Sequence, residues 1–231
     1  MLIGPQNSAI DPREILDRIA RAAQRAGRDP AEVTLIAVGK TQPAERLRAA
    51  AAAGITDFGE NYPQEAAAKI DQLADLPLRW HFIGRLQSNK TRLVANRFDW
   101  VHSVDRVEIA RRLSDQRSPH RPPLEICLQV AVVPEPGKGG LEPGALPEAA
   151  AVIAALPRLR LRGLMCLPPF ERDPAKQRTA FAHLRRLRDE LNARGLALDV
   201  LSMGMSGDFE AAIAEGATHV RIGTALFGER L

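Results

Sequence analysis

Leu35-Ile36-Ala37-Val38-Gly39-Lys40-Thr41-Gln42-Pro43 is an apolar run of strand length that ends on a lysine, and a proline three residues later closes the turn. A short apolar run bounded by turn residues reads as a strand buried on both faces, the kind a parallel sheet needs. A lysine just past such a strand keeps its stem against apolar neighbours and holds its amine at the rim. Partial desolvation there lowers an amine's pKa and leaves more of it neutral and nucleophilic, which is the state that imine chemistry requires. Taken alone, the stretch describes equally well a lysine that snorkels from a strand end. The remainder of the chain separates the two readings.

Working outward, the same alternation recurs. Residues 1–10 read as a loose lead-in. Asp11-Pro12-Arg13-Glu14 then supplies an N-cap, a proline at the first helical position and a glutamate at the capping-box position. Ile15, Leu16, Ile19, Ala20 and Ala23 share one helical face, and Gly27 ends the helix. Strand patterns fall at 33–39, 55–58, 79–83, 100–104, 124–133, 159–167, 198–202 and 218–222. Helical patterns lie between them, the longest capped by Asp173-Pro174 and carrying Phe181, Leu184, Leu187 and Leu191 on one face. Eight strands in unbroken alternation with helices predict a parallel α/β fold. The count of eight, and 231 residues against the roughly 250 typical of such barrels, favour a single (β/α)₈ TIM-type barrel domain spanning 1–231 over an open doubly wound sheet.

Composition narrows the function. With 45% hydrophobic and 26% charged residues, the chain is that of a globular protein. Its net charge of +4 comes from arginines spread along helical stretches such as Arg185-Arg186-Leu187-Arg188, which read as solvated faces and argue against a nucleic-acid surface. Only five lysines exist, so one at a strand end carries weight. Cys127 and Cys166 sit inside apolar strands with no C-x-x-C or metal spacing and read as buried reduced thiols. No apolar run nears the roughly 18 residues of a membrane span, and the start lacks a basic-then-apolar signal segment. The expectation is a cytoplasmic protein without membrane contact.

In a (β/α)₈ barrel the residues just after each strand face one mouth, and phosphate is commonly bound at the loops after strands seven and eight. Here those residues include Lys40, Glu60-Asn61, Ser103 and Lys138, and the two late loops are Met203-Gly204-Met205-Ser206-Gly207 and Arg221-Ile222-Gly223-Thr224. Small residues let backbone N–H groups approach an anion, Ser206 and Thr224 add hydroxyl donors, and Arg221 adds a fixed charge. Each loop alone could be an ordinary helix cap or turn; together with Lys40 they describe a phosphate cradle beside an imine-forming lysine. Pro136-Gly137-Lys138-Gly139-Gly140 lacks the spacing of a P-loop, and neither a dinucleotide fingerprint nor an H-E-x-x-H pair occurs. His81, His102 and His219 fall within strands and read as structural histidines rather than ligands.

An imine lysine plus a phosphate cradle is what pyridoxal 5′-phosphate (PLP) requires. The chain resembles the pyridoxal phosphate homeostasis protein family, whose barrel is similar to the N-terminal domain of alanine racemase. The likeness is carried by Ala37-Val38-Gly39-Lys40-Thr41, Phe58-Gly59-Glu60-Asn61, Trp80-His81-Phe82-Ile83-Gly84, Leu86-Gln87-Ser88-Asn89-Lys90, His102-Ser103-Val104-Asp105, Gly163-Leu164-Met165, Leu201-Ser202-Met203-Gly204-Met205-Ser206 and the block from Val220 to Gly228. The resemblance implies a fold-type III barrel with PLP held as a Schiff base on Lys40. It implies Ser206, Gly223 and Thr224 at the phosphate, Arg221 facing the pyridine nitrogen or the phosphate, and Asn61 and Met203 as further cofactor contacts. It further implies intracellular PLP homeostasis by a monomer that passes cofactor transiently to apo PLP-enzymes, without turnover. The alternative is a PLP-dependent amino-acid racemase, disfavoured because no second domain or evident opposing base is present and the only tyrosine, Tyr62, precedes a proline. Departures from the family pattern are Gly39 in place of a serine, Tyr62-Pro63, Arg85, and the loop at 133–138.

Overall fold

The computed structural model describes residues 11–133, 135 and 139–228. The lead-in at 1–10 and Lys138 therefore lie outside the described residues. Along the chain come α1 (Pro12–Arg25), β1 (Thr34–Val38), α2 (Ala44–Ala52), β2 (Asp57–Glu60), α3 (Pro63–Gln72), β3 (Arg79–Phe82), α4 (Thr91–Arg97) and β4 (Trp100–Val104). They are followed by α5 (Val107–Gln116), β5 (Leu124–Gln129), α6 (Leu146–Ala154), β6 (Leu159–Met165), α7 (Pro174–Ala193), β7 (Val200–Ser202), α8 (Phe209–Ala214), β8 (His219–Ile222) and α9 (Thr224–Phe227). The strands pair in sequence order, all parallel, and β8 returns to β1 with Ile36 opposite Arg221 and Ala37 opposite Ile222. The sheet is a closed (β/α)₈ barrel.

Strand periodicity divides the side chains between two apolar regions. One set, including Leu35, Phe58, Phe82, Ile126, Val220 and Ile222, packs outward on the helices. Helices answer with Ile15 and Ile19 of α1, Leu47 of α2, Ile109 and Leu113 of α5, and Phe181 and Leu184 of α7, each buried. Fully burying such a side chain contributes about 1.5–3 kcal/mol. The Asp11 side chain accepts the Arg13 N–H at 2.9 Å and caps α1 as its sequence predicts, worth about 1 kcal/mol. The inward set is smaller and mixed: Trp100, Cys127, Met165 and Val200 form an apolar cluster, while Asp57, His81, His102, Ser202 and Arg221 are buried polar residues of the strands.

Several expected boundaries move, each for a local reason. Strand β2 runs Asp57–Glu60 rather than 55–58. Glycine and glutamate are poor strand formers, but Gly59 stands where a Cβ would lie 2.8 Å from the Ile36 side chain, and Glu60 is paired with a buried lysine. Strand β5 stops at Gln129; beyond it the backbone pairs with Leu141, whose N–H donates to Gln129 and whose carbonyl accepts from Ala131. Strand β6 ends at Met165, short of Pro168-Pro169, and β7 keeps only Val200–Ser202. Strands β6 and β7 approach so closely at Gly163 that a Cβ there would fall 1.8 Å from the Val200 carbonyl oxygen. The one-turn helix α9 is not expected from the pattern, since four residues are too few to show a period.

Candidate functional site

Closure of β8 on β1 brings the loop carrying Lys40 beside the loop carrying Gly223 and Thr224. A cavity of about 450 Å³ opens there, lined among others by Lys40, Asn61, Ser206, Arg221, Gly223 and Thr224. Six of the seven residues singled out from sequence thus share one cavity. Met203 does not: its side chain is fully buried in the apolar layer beneath the helices, and Met205, two residues on and 39% exposed, lines the cavity instead. Between them Gly204 turns at φ +95°, with Phe209 and Ala212 so close that a side chain would collide.

Asn61 reaches the cavity because Gly84 lets the loops after β2 and β3 touch; a Cβ at Gly84 would lie 2.3 Å from the Asn61 carbonyl oxygen. The Asn61 side-chain Oδ1 is buried and has no protein hydrogen-bond partner, an open acceptor at the cavity edge. Ser206 Oγ accepts the Ala225 N–H at 3.4 Å and ties the loops after β7 and β8 together. Arg221 is 3% exposed. It donates Nη1–H to Ser202 Oγ at 2.8 Å and Nη2–H to the Cys166 carbonyl at 3.0 Å. Burial lowers its pKa, and among the described residues no carboxylate forms an ion pair with it. The site therefore holds a buried cation whose direct contacts are neutral.

The loop bearing Lys40 is fixed from below by a group that the sequence reading missed. Lys69, on α3, is buried and donates to the Gly39 carbonyl at 2.6 Å, Glu60 Oε1 at 2.8 Å and Glu65 Oε1 at 2.6 Å. Glu65 Oε1 also accepts the Thr41 N–H at 2.7 Å. Thr41 takes a left-handed backbone, φ +63°, which costs a branched residue of order 1–3 kcal/mol and persists only because its surroundings hold it there. This clamp accounts for Gly39, because a Cβ at that position would stand 2.8 Å from Glu60 Oε1 and 3.0 Å from Leu47. A signal did exist: Pro63, Ala66 and Lys69 share the buried face of α3, so the lysine lies on an apolar stripe.

Against this geometry, residues 10–231 match the family model described as "Alanine racemase, N-terminal domain". A Pseudomonas aeruginosa protein named pyridoxal phosphate homeostasis protein is 60% identical over 217 residues, covering 94% of this chain and 93% of the relative. The chain belongs to the pyridoxal phosphate homeostasis protein family. The Escherichia coli K12 member is 49% identical over 220 residues, covering 94% of each. Among solved structures, PipY of Synechococcus elongatus with PLP bound superposes with a TM-score of 0.82 at 42% identity, over 91% of this chain and 100% of that one. Alanine racemase from Corynebacterium glutamicum, at 17% identity and a TM-score of 0.70 over 96% of this chain and 62% of that one, shares the fold.

The clamp of this family member should titrate. Burial raises the Glu60 carboxyl from 4.5 to about 7, against the pull of the Lys69 ammonium and with help from the Glu65 charge. A carboxyl that holds its proton more tightly when folded adds stability that is complete below about pH 4.5 and lost as pH rises through about 7. The buried histidines titrate in the opposite sense, so the quantity to read is the difference between wild type and Glu60→Gln in urea unfolding. We expect wild type to lose stability relative to Glu60→Gln between about pH 5 and pH 8; a pH-independent difference would remove Glu60 as the titrating group.

Proposed function

We propose that this protein binds PLP in the cavity at the barrel mouth, anchors it covalently on Lys40, and buffers the cofactor or hands it to apo-enzymes rather than turning over a substrate. The observation that carries this reading is the meeting of Lys40, Ser206, Arg221, Gly223 and Thr224 around one cavity. The donor set fits the cofactor: an amine for an aldehyde, two hydroxyls and a glycine turn for a phosphate, a buried cation, and an orphaned Asn61 oxygen open to a ligand. When bound, PLP supplies an aldehyde carbon that condenses reversibly with amines. Lys40, half-buried at the end of β1, presents that amine. Ser206 and Thr224 donate to the phosphate, and Arg221 faces the ring or the phosphate as a permanent charge. The name of the P. aeruginosa relative and the PLP-bound PipY structure support the same reading.

A delivery role over racemisation is favoured by what lines the cavity. Among the described residues there, only Lys40 and Arg221 are charged, and an arginine keeps its proton while a lysine amine can exchange one. Tyr62, 56% exposed at the start of α3, lines the neighbouring depression rather than this cavity. Racemisation needs a base on each face of the substrate carbon, and a general base typically contributes about 10²–10⁴-fold. The reading places the whole chain in one barrel domain that works as a monomer in the cytoplasm. Two buried cysteines, both free, suit a reducing compartment, and no described helix is long and apolar enough to cross a membrane.

Borohydride reduction of the PLP-loaded protein should fix the cofactor on Lys40, and Lys40→Ala should lose the fixed adduct while retaining phosphate-held PLP. An undiminished adduct in Lys40→Ala would assign the anchor to another lysine.

Ser206→Ala and Thr224→Ala each remove a hydroxyl donor to a charged group, worth roughly 1.5–3 kcal/mol. Titrations of the double variant should show PLP binding greatly weakened and pyridoxal binding unchanged. Equal losses for both ligands would move the phosphate elsewhere.

Loaded protein should restore activity to an apo PLP-enzyme, and incubation with L-alanine in deuterated water should yield no D-isomer over many turnovers. Sustained D-alanine formation that vanishes in Lys40→Ala would make the protein a racemase.

A further inference from the structure

The barrel interior holds an unbroken row of polar side chains running from β2 to β8. Asp57 Oδ1 lies 2.9 Å from His81 Nε2, His81 Nδ1 lies 2.9 Å from His102 Nε2, and His102 Nδ1 lies 2.8 Å from Ser202 Oγ. Ser202 Oγ in turn lies 2.8 Å from Arg221 Nη1. His81 and His102 have no exposed surface, Ser202 has none, and Asp57 and Arg221 are 4% and 3% exposed. Trp100 stacks on the His81 ring at 5.6 Å and 14°, which closes off one side.

The two ends of this row dictate its direction. Arg221 can only donate. Burial alone would raise the Asp57 carboxyl, but His81, Thr56 and Arg79 outweigh it and hold it at about 2, so this end can only accept. His81 must then carry its proton on Nε2. Burial lowers the pKa of both His81 and His102, most strongly for His102, so each ring is neutral and has one donor and one acceptor nitrogen. His81 Nδ1 is therefore an acceptor and His102 Nε2–H its donor. His102 Nδ1 accepts from the Ser202 hydroxyl, whose oxygen keeps its lone pairs for the Arg221 N–H. At each of the four contacts along the row one donor meets one acceptor, and no two protons are in conflict.

We propose that Asp57, His81, His102 and Ser202 are positioning residues that act as a one-directional hydrogen-bond chain, locking the Arg221 guanidinium in its place at the cofactor cavity while keeping it free of a direct carboxylate partner. An arginine side chain loses up to about 2 kcal/mol of conformational entropy when ordered, and a protein that alternates between loaded and empty states would meet that cost at each loading. The chain meets it once, on folding. Each link polarises the next, so the anionic end at Asp57 makes the Ser202 oxygen a stronger acceptor for Arg221. A carboxylate placed directly on Arg221 would hold it as firmly but would cancel the field that the cavity presents to an anionic ligand. With two imidazoles and a hydroxyl between them, anchorage and charge are separated.

The inference rests on the proposed PLP site only in its second test. The first uses the unloaded wild-type protein and no variant. Nitrogen-15 spectra of the imidazoles at about pH 7 should show His81 and His102 both as neutral Nε2–H tautomers. An Nδ1–H tautomer or an imidazolium at either position would reverse a link and overturn the chain. The second compares Ser202→Ala, which touches Arg221, with His81→Leu, which is three links away. Wild type should show slowly exchanging guanidinium signals for Arg221, and both variants should lose them and weaken PLP binding by about tenfold or more. Unchanged Arg221 signals, with PLP affinity within about twofold of wild type in His81→Leu, would reduce these residues to ordinary core packing and refute the proposal. If no protein form binds PLP at all, the site reading fails while the tautomers and the Arg221 signals still decide the chain.

Discussion

Pairing of β1 with β8 is the constraint on which the site depends. Lys40 and Thr224 lie 184 positions apart in sequence, and the parallel register that sets Ala37 beside Ile222 puts the loops beyond them side by side. Because neighbouring parallel strands are about 4.8 Å apart, side chains of those two loops converge on one cavity. The Ser206 hydroxyl, accepting from Ala225, extends the arrangement to the loop after β7. The closing ladder thus does more than remove a sheet edge.

Two polar systems support that mouth from different directions, and they do different physical work. The Lys69–Glu60–Glu65 clamp acts on the backbone: it grips the Gly39 carbonyl and, through Glu65, the Thr41 amide, so the segment bearing Lys40 keeps a strained turn. The row from Asp57 to Ser202 acts on a side chain, Arg221. Both lie where an apolar core would be cheaper, since burying charge costs several kcal/mol per ion before pairing returns it. Their common effect is a mouth whose lysine-bearing turn and whose buried arginine stand on rigid supports, while the rest of the described cavity lining is neutral. That combination suits a ligand that must enter, be held and leave.

The arginine excess in the composition also finds its place. Arg185 and Arg178 pair with Glu215, Arg162 with Asp199 and Glu125, and Arg48 with Asp75, each joining neighbouring segments of the fold. The exposed Arg48–Asp75 pair contributes little, whereas the Glu215 carboxylate is buried and Arg162 is half-buried.

What the sequence determined by itself was everything carried by local pattern. Strand and helix periods showed the number and order of the strands, Asp11 and Asp173 marked helix starts that the side-chain caps bear out, and a lysine after one strand with Ser/Thr and glycine after two others outlined the cavity. These features depend on residues a few positions apart, so their physics is readable in one dimension. Only the tertiary structure decided the rest. Met203 and Met205 differ by two residues at a strand end, and whether each turns to the core or to the cavity depends on the tight bend at Gly204 against α8. Lys69 could not be separated from an ordinary helical i,i+4 pair until α3 was packed on the barrel. His81 and His102 read as structural histidines within strands, but the contacts that join them to each other and to Ser202 span 21 and 100 positions. Hydrogen bonds between strands follow from register and closure, and no periodicity along the chain records which inward-facing side chains will touch.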